Sequence, residues 1–204
     1  MSLFQVIIPE ATTNLCINPS AETGTTGWLA YGAGSIAQST TKARRGVKSL
    51  LVTPVAGLGD GAPPYAPVAG LGTGAIYAVG TLPSGTTYTF SFDLCGAVGI
   101  TYHYFMMNGN GSHGPAGQLN TVATGVWQRL AVTYTMVATE DMHLVVVKAG
   151  TGTDAFYLDG VQLEAASHDT TYCDGDQPGC AWNGTAHAST SRRLATTRQG
   201  GYLA

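Results

Sequence analysis

Apolar and polar residues alternate along several short runs of this chain, and that alternation predicts strands. Thr86–Leu94 (TTYTFSFDL) puts Tyr88, Phe90, Phe92 and Leu94 on one face and Thr87, Thr89, Ser91 and Asp93 on the other. Phe156–Glu164 (FYLDGVQLE) sets Phe156, Leu158, Val161 and Leu163 against Tyr157, Asp159, Gln162 and Glu164, with a jump of phase at Asp159-Gly160. Such a jump predicts a strand with a turn or bulge set into it. Ile100–Met107 (ITYHYFMM) carries large groups on both faces, with Ile100, Tyr102, Tyr104 and Met106 opposite Thr101, His103, Phe105 and Met107. It is either buried on both sides or offers one side to a ligand. Further strands are expected over Ile36–Thr41, Val47–Thr53, Ala75–Val79, Val126–Met136 and Met142–Lys148. A short strand at Leu15–Ile17 breaks at Asn18-Pro19 and places Glu22 just before a Gly/Thr turn and Trp28. The whole predicts about eight or nine strands and no amphipathic helix: an all-β, two-sheet antiparallel sandwich, with the Asn14–Trp28 stretch and FYLDGVQLE as its first and last strands.

Between the strands, Pro54–Gly74 repeats PVAGLG twice and holds Pro63, Pro64 and Pro67, which forbid a central strand. A long exposed loop is expected there, with Tyr65 at its middle as a contact residue, or a crossover with no partner. The ARRG turn ahead of Val47 ends in Gly46, where a positive φ is expected.

Composition sharpens this picture. Only 10% of the 204 residues are charged, against roughly 25% in an average soluble domain, and there are 28 glycines. A surface of Thr, Ser, Asn, Gln and Gly suits a turn-rich β protein. The net charge of −3 gives no electrostatic case for nucleic acid or for an anionic membrane. No segment approaches the roughly 20 apolar residues of a membrane span, and Leu3–Ile8 is too short for a signal-peptide core. Either the mature form is shown or the protein leaves its cell by lysis, as a virus particle does.

Cys173 and Cys180 bracket the turn-rich segment DGDQPG, so a local disulfide is one reading and free thiols the other. Cys16 and Cys95 sit in strand patterns and read as buried small hydrophobes. Catalysis finds little support. Gly109–Gly114 satisfies G-x-G-x-x-G, but Pro115 stands where a helix belongs. Ser112 beside His113 lacks the first Gly of a nucleophile elbow, Glu140 and Asp141 diverge from adjacent positions, and the histidines lack zinc spacing.

In order along the chain, NPSAETGTTGW, ARRGVKSLLV, YTFSFDL, VWQRLAVTYT and FYLDGVQLE resemble the jelly-roll carbohydrate-binding modules attached to xylanases and cellulases. The resemblance covers residues 14–166, between an N-terminal arm (1–13) and a C-terminal extension (167–204). It implies a structural calcium held by Glu22 and Asp159, with a backbone carbonyl near Arg45 or Lys48 completing a cage of oxygens. Without metal, Glu22 would cap a turn and Asp159 would make an Asp-Gly turn. It also implies core positions for Trp28 and Trp127. Glycan binding needs an aromatic platform and hydroxyl-binding groups, for which Tyr102, His103 and Tyr104, with Tyr65 and Tyr77, are the candidates. The alternative for Tyr102 and Tyr104 is the core, with His103 then facing out.

The segment Tyr172–Ser191 (YCDGDQPGCAWNGTAHASTS) resembles the stretch C-terminal to such modules in tail and minor structural proteins of double-stranded DNA phages. The expected function is therefore a non-catalytic virion protein, tail- or surface-associated and located on the extracellular particle, with host or environmental glycans as candidate ligands. Its partners would be other virion proteins or copies of itself, met through arms too polar to form their own core. The alternatives are a carbohydrate-binding module of a secreted glycoside hydrolase and a capsid-decorating protein with no glycan ligand.

Overall fold

The computed structural model describes residues 10–56, 71–108 and 118–194. Its strands are β1 (Thr12–Asn14), β2 (Trp28–Tyr31), β3 (Ser35–Ser39), β4 (Ser49–Thr53), β5 (Leu71–Leu82), β6 (Thr87–Cys95), β7 (Thr101–Asn108), β8 (Leu119–Val122), β9 (Gln128–Thr135), β10 (Glu140–Ala149), β11 (Phe156–Glu164), β12 (Cys180–Trp182) and β13 (Ser191–Arg193). Ten of them form two five-stranded antiparallel sheets, ordered β2-β5-β10-β7-β8 and β3-β4-β11-β6-β9. The described residues include no helix, and so none long and apolar enough to cross a membrane.

Period-two alternation decides what lies between the sheets. From β6 come Tyr88, Phe90, Phe92 and Leu94, and from β11 Phe156, Leu158, Val161 and Leu163, as the alternation predicts. They meet Tyr77, Tyr102, Tyr104, Met106, Leu144 and Val146 of the first sheet. Ring pairs lock the layers: Tyr102 stands edge-on to Phe156 with centroids 4.8 Å apart, and Phe92 does the same to Tyr104 at 5.3 Å. The free cysteines Cys16 and Cys95 are buried, and Trp28 is core. Trp127 is only half-buried.

The Asn14–Trp28 stretch departs from expectation. Leu15–Ile17 is not a strand; the chain runs beside β11 instead, joined by Leu15 N–H to Leu163 O (2.8 Å) and Val161 N–H to Pro19 O (2.8 Å). Asn18 takes a φ of +47°, which turns the chain away before a ladder can form.

The arms also behave differently from the expectation that they order on a neighbouring subunit. β13 pairs with both β1 and β12, so the described parts of the two arms build a third sheet on their own domain. A disulfide joins Cys173 to Cys180, Cα atoms 5.9 Å apart. Polar groups of β11 hold this extension down. Gln162 Oε1 accepts the Cys173 N–H (2.8 Å), and Glu164 accepts Thr170 N–H (2.8 Å) and the hydroxyls of Thr170 (2.7 Å) and Thr12 (2.6 Å). Asp159, Gln162 and Glu164 look solvent-facing in the alternation, yet all three are buried: the extension bonds Gln162 and Glu164, and the 44–48 loop takes up Asp159.

Candidate functional site

The two ends of the domain meet at the loop carrying residues 44–48. Asp159 sits at the β11 bulge, where the register with β6 shifts and Gly160 takes φ +54°. Its Oδ2 accepts the backbone N–H groups of Arg44 (2.6 Å) and Arg45 (2.8 Å), and its Oδ1 that of Gly160 (2.6 Å). Glu22 Oε1 accepts the N–H groups of Val47 and Lys48, both at 2.9 Å. Gly46 lies between these donors at φ +68°, and a Cβ there would land on the Glu22 carboxylate.

This arrangement does not fit the calcium cage implied by the resemblance. A hard cation takes six to eight oxygens, whereas the contacts of Arg45 and Lys48 with the two acids are made by backbone N–H donors. The described residues hold no group of three or more His, Cys, Asp or Glu placed to bind a metal. The acids are turn acceptors that clasp the loop. Burial pushes the Asp159 carboxyl up to about 7, the amides of Arg45, Arg44 and Gly160 pull it down, and Asp93 adds to the rise.

The aromatic candidates separate by face. Tyr102, Tyr104 and Tyr77 point between the sheets and are buried; the Tyr77 hydroxyl donates to Ile17 O (3.1 Å) and accepts Ile17 N–H (2.8 Å). They are core, so the platform expected of them is not on the surface. Tyr65 lies outside the described residues, as do Ser112, His113 and the Gly109–Gly114 run.

His103 does face outward, and strand register shows its company. One row across the first sheet runs Asn120, His103, Val147, Gly74 and Tyr31; the next includes Phe105, Val145, Ile76 and Leu29. Tyr31, Ile76, Phe105, Met107, Val145 and Val147 form a closed apolar floor. At the β8 edge of the floor stand exposed amides: Gln118 Nε2 lies 2.6 Å from His103 Nδ1, and Asn120 is directly opposite His103. Burial lowers the His103 pKa, so the ring is neutral at neutral pH and can accept at one nitrogen and donate at the other. Leu29, 56% exposed, marks the opposite edge. Sequence reasoning missed Gln118 and Asn120, since β8 is short and comes directly after a Gly-rich run. The run QLNTV shows no strict alternation to mark it.

By sequence, no protein-family model matches the chain, and no curated protein does. Solved structures do. The CBM22-1 xylan-binding domain of Paenibacillus barcinonensis Xyn10C superposes with a TM-score of 0.54 at 18% identity, over 81% of this chain and 100% of that one. TmCBM61, solved with β-1,4-galactotriose, gives 0.53 at 17%, over 75% and 99%. The fold is the jelly roll of carbohydrate-binding modules. That jelly roll is not confined to binding proteins by name: the Stig cyclase Fisc from Fischerella sp. TAU gives 0.56 at 14%, over 78% and 100%. At these identities the likeness shows the jelly roll alone.

Proposed function

We propose that the chain is a non-catalytic glycan-binding module that meets its ligand at the β7–β8 edge of the first sheet. The observation that carries this is the trio His103, Gln118 and Asn120, an imidazole and two amides on one face beside an apolar floor. Neutral imidazole and amide groups donate and accept at once, which is what paired sugar hydroxyls require. Two structural neighbours, a xylan-binding domain and a module in complex with β-1,4-galactotriose, support the same class. Titration of the chain with xylo- and galacto-oligosaccharides tests the reading. Saturable binding that weakens about tenfold in His103→Ala or Asn120→Ala is expected. Silence across neutral β-linked oligosaccharides overturns it.

A second reading rests on the 172–191 segment, whose resemblance to phage tail proteins supports a module carried on a virion and meeting glycans there. Size-exclusion chromatography with light scattering tests it. Defined assembly or particle association supports the virion setting, and a monomer that binds glycan supports the free-standing module.

A further inference from the structure

The outer face of the second sheet holds a set of cations that the β7–β8 edge does not use. Arg45, in the 44–48 loop, and Arg129, on β9, both lie over the ring of Tyr172 in the C-terminal extension, their Cζ atoms 5.0 and 5.7 Å from its centroid. Both also reach Asp93 Oδ2, Arg45 through Nε at 3.2 Å and Arg129 through Nη1 at 3.5 Å. Arg129 is fixed further, donating from Nη1 to the Gly160 carbonyl and from Nη2 to Ser91 Oγ (2.7 Å). Arg45 differs. Its Nε bonds Asp93, but among the described residues neither terminal nitrogen has a hydrogen-bond partner, and the side chain is 29% exposed.

Arg45, Arg129, Tyr172, Thr170, Thr171 and Asp169 line a cavity of about 320 Å³, within the usual range for small-ligand sites. We propose that this cavity is a second binding site, for the carboxylate of an acidic sugar residue, a uronate, held by the open fork of Arg45. A guanidinium presents two parallel N–H donors that match the two oxygens of a carboxylate, and such charge-assisted pairs are about twice as strong as neutral ones. The Tyr172 ring and Asp93 hold the Arg45 plane before any ligand arrives, which lowers the ordering cost of binding. Charge favours an anion at the floor. Two arginines face the single buried carboxylate of Asp93, while Asp159 is turned to the amides of Arg44, Arg45 and Gly160. Asp169 is exposed at the rim, where water screens its attraction to Arg129.

The site rests on the glycan-binding reading but lies on the other sheet, so the two can fail separately. The test is calorimetric titration of the full chain with trigalacturonate, its methyl ester and inorganic phosphate. Trigalacturonate is expected to bind, and the ester, which keeps every hydroxyl and loses the charge, to bind about tenfold more weakly or worse. Arg45→Gln and Arg45→Lys are both expected to lose binding to a similar degree, since Lys keeps the charge without the fork. No binding of trigalacturonate, equal affinity for its ester, or full affinity in a folded Arg45→Lys variant each overturns the proposal. Phosphate binding as tight as the sugar also overturns it, by showing an anion site without sugar recognition.

Discussion

The Asn14 side-chain amide donates to the carbonyl of Cys173, 159 positions away, at 3.2 Å. The same amide reaches Val161 O at 2.8 Å, while Asn14 Oδ1 accepts the N–H groups of Cys16 (3.0 Å) and Leu163 (3.2 Å). One fully buried side chain thus joins the N-terminal segment, the last sandwich strand and the C-terminal extension. Asn14→Ala leaves two carbonyls and two amides without this partner. A loss of about 3 kcal/mol is expected, read as a lower urea midpoint at unchanged slope; a shift no larger than that of a surface Asn→Ala control contradicts it.

The clasp makes stability depend on pH in an unusual direction for a carboxylate. With the folded Asp159 held at about 7 and an unfolded Asp near 3.9, the folded state keeps a proton that the unfolded state has released. Its contribution is full below about pH 4 and falls as pH rises toward about 7, at up to about 1.4 kcal/mol per pH unit. Denaturation of wild type and Asp159→Asn from pH 4 to 8 isolates the effect. The difference between the two should slope through that window and flatten above it.

Calcium gives a third expectation. Because backbone N–H groups already fill the inner lone pairs of Glu22 and Asp159, millimolar calcium or a chelator should leave the melting temperature unchanged. Glu22→Gln should lower stability by about 1 kcal/mol through weaker acceptance from Val47 and Lys48. A calcium-dependent rise in melting temperature that Glu22→Gln abolishes would show that the loop turns over to bind metal.

The extension should open before the sandwich does. Reducing Cys173–Cys180, or replacing both cysteines by Ser, releases a short loop whose closure is worth about 2 kcal/mol. Hydrogen exchange should then speed up over residues 173–193 and not over β6 or β10. Uniform acceleration across the sandwich would mean that the extension is part of the global folding unit.

Much of the sandwich was legible because period-two alternation is a local signal. β6 and β11 fall where TTYTFSFDL and FYLDGVQLE place them, and the phase jump at Asp159-Gly160 is the observed bulge. What the alternation does not carry is which polar face will be covered. Gln162 and Glu164 look exposed in sequence and are buried, because their partners Cys173, Thr170 and Thr12 arrive from segments with no periodicity of their own. The three-residue strands β1, β12 and β13 are too short to show a period. At the candidate site, the two-sided strand 100–107 was found, but its aromatic residues drew attention to the wrong face. Tyr102 and Tyr104 are bulky enough to fill the core, and the outward groups are the less conspicuous His103 and its amide neighbours.

Pairing of β1 with β13 has a mechanical consequence. Thr12 is opposite Arg193, and Arg193 Nε donates to Glu10 O at 2.8 Å, so the two ends of the described body leave it side by side. Tension applied through residues 10 and 194 would load those rungs one at a time, like a zipper, and would not shear them together. The extension would peel under low force while the jelly roll stayed intact. The two ends of the described body therefore lie at one corner of the molecule.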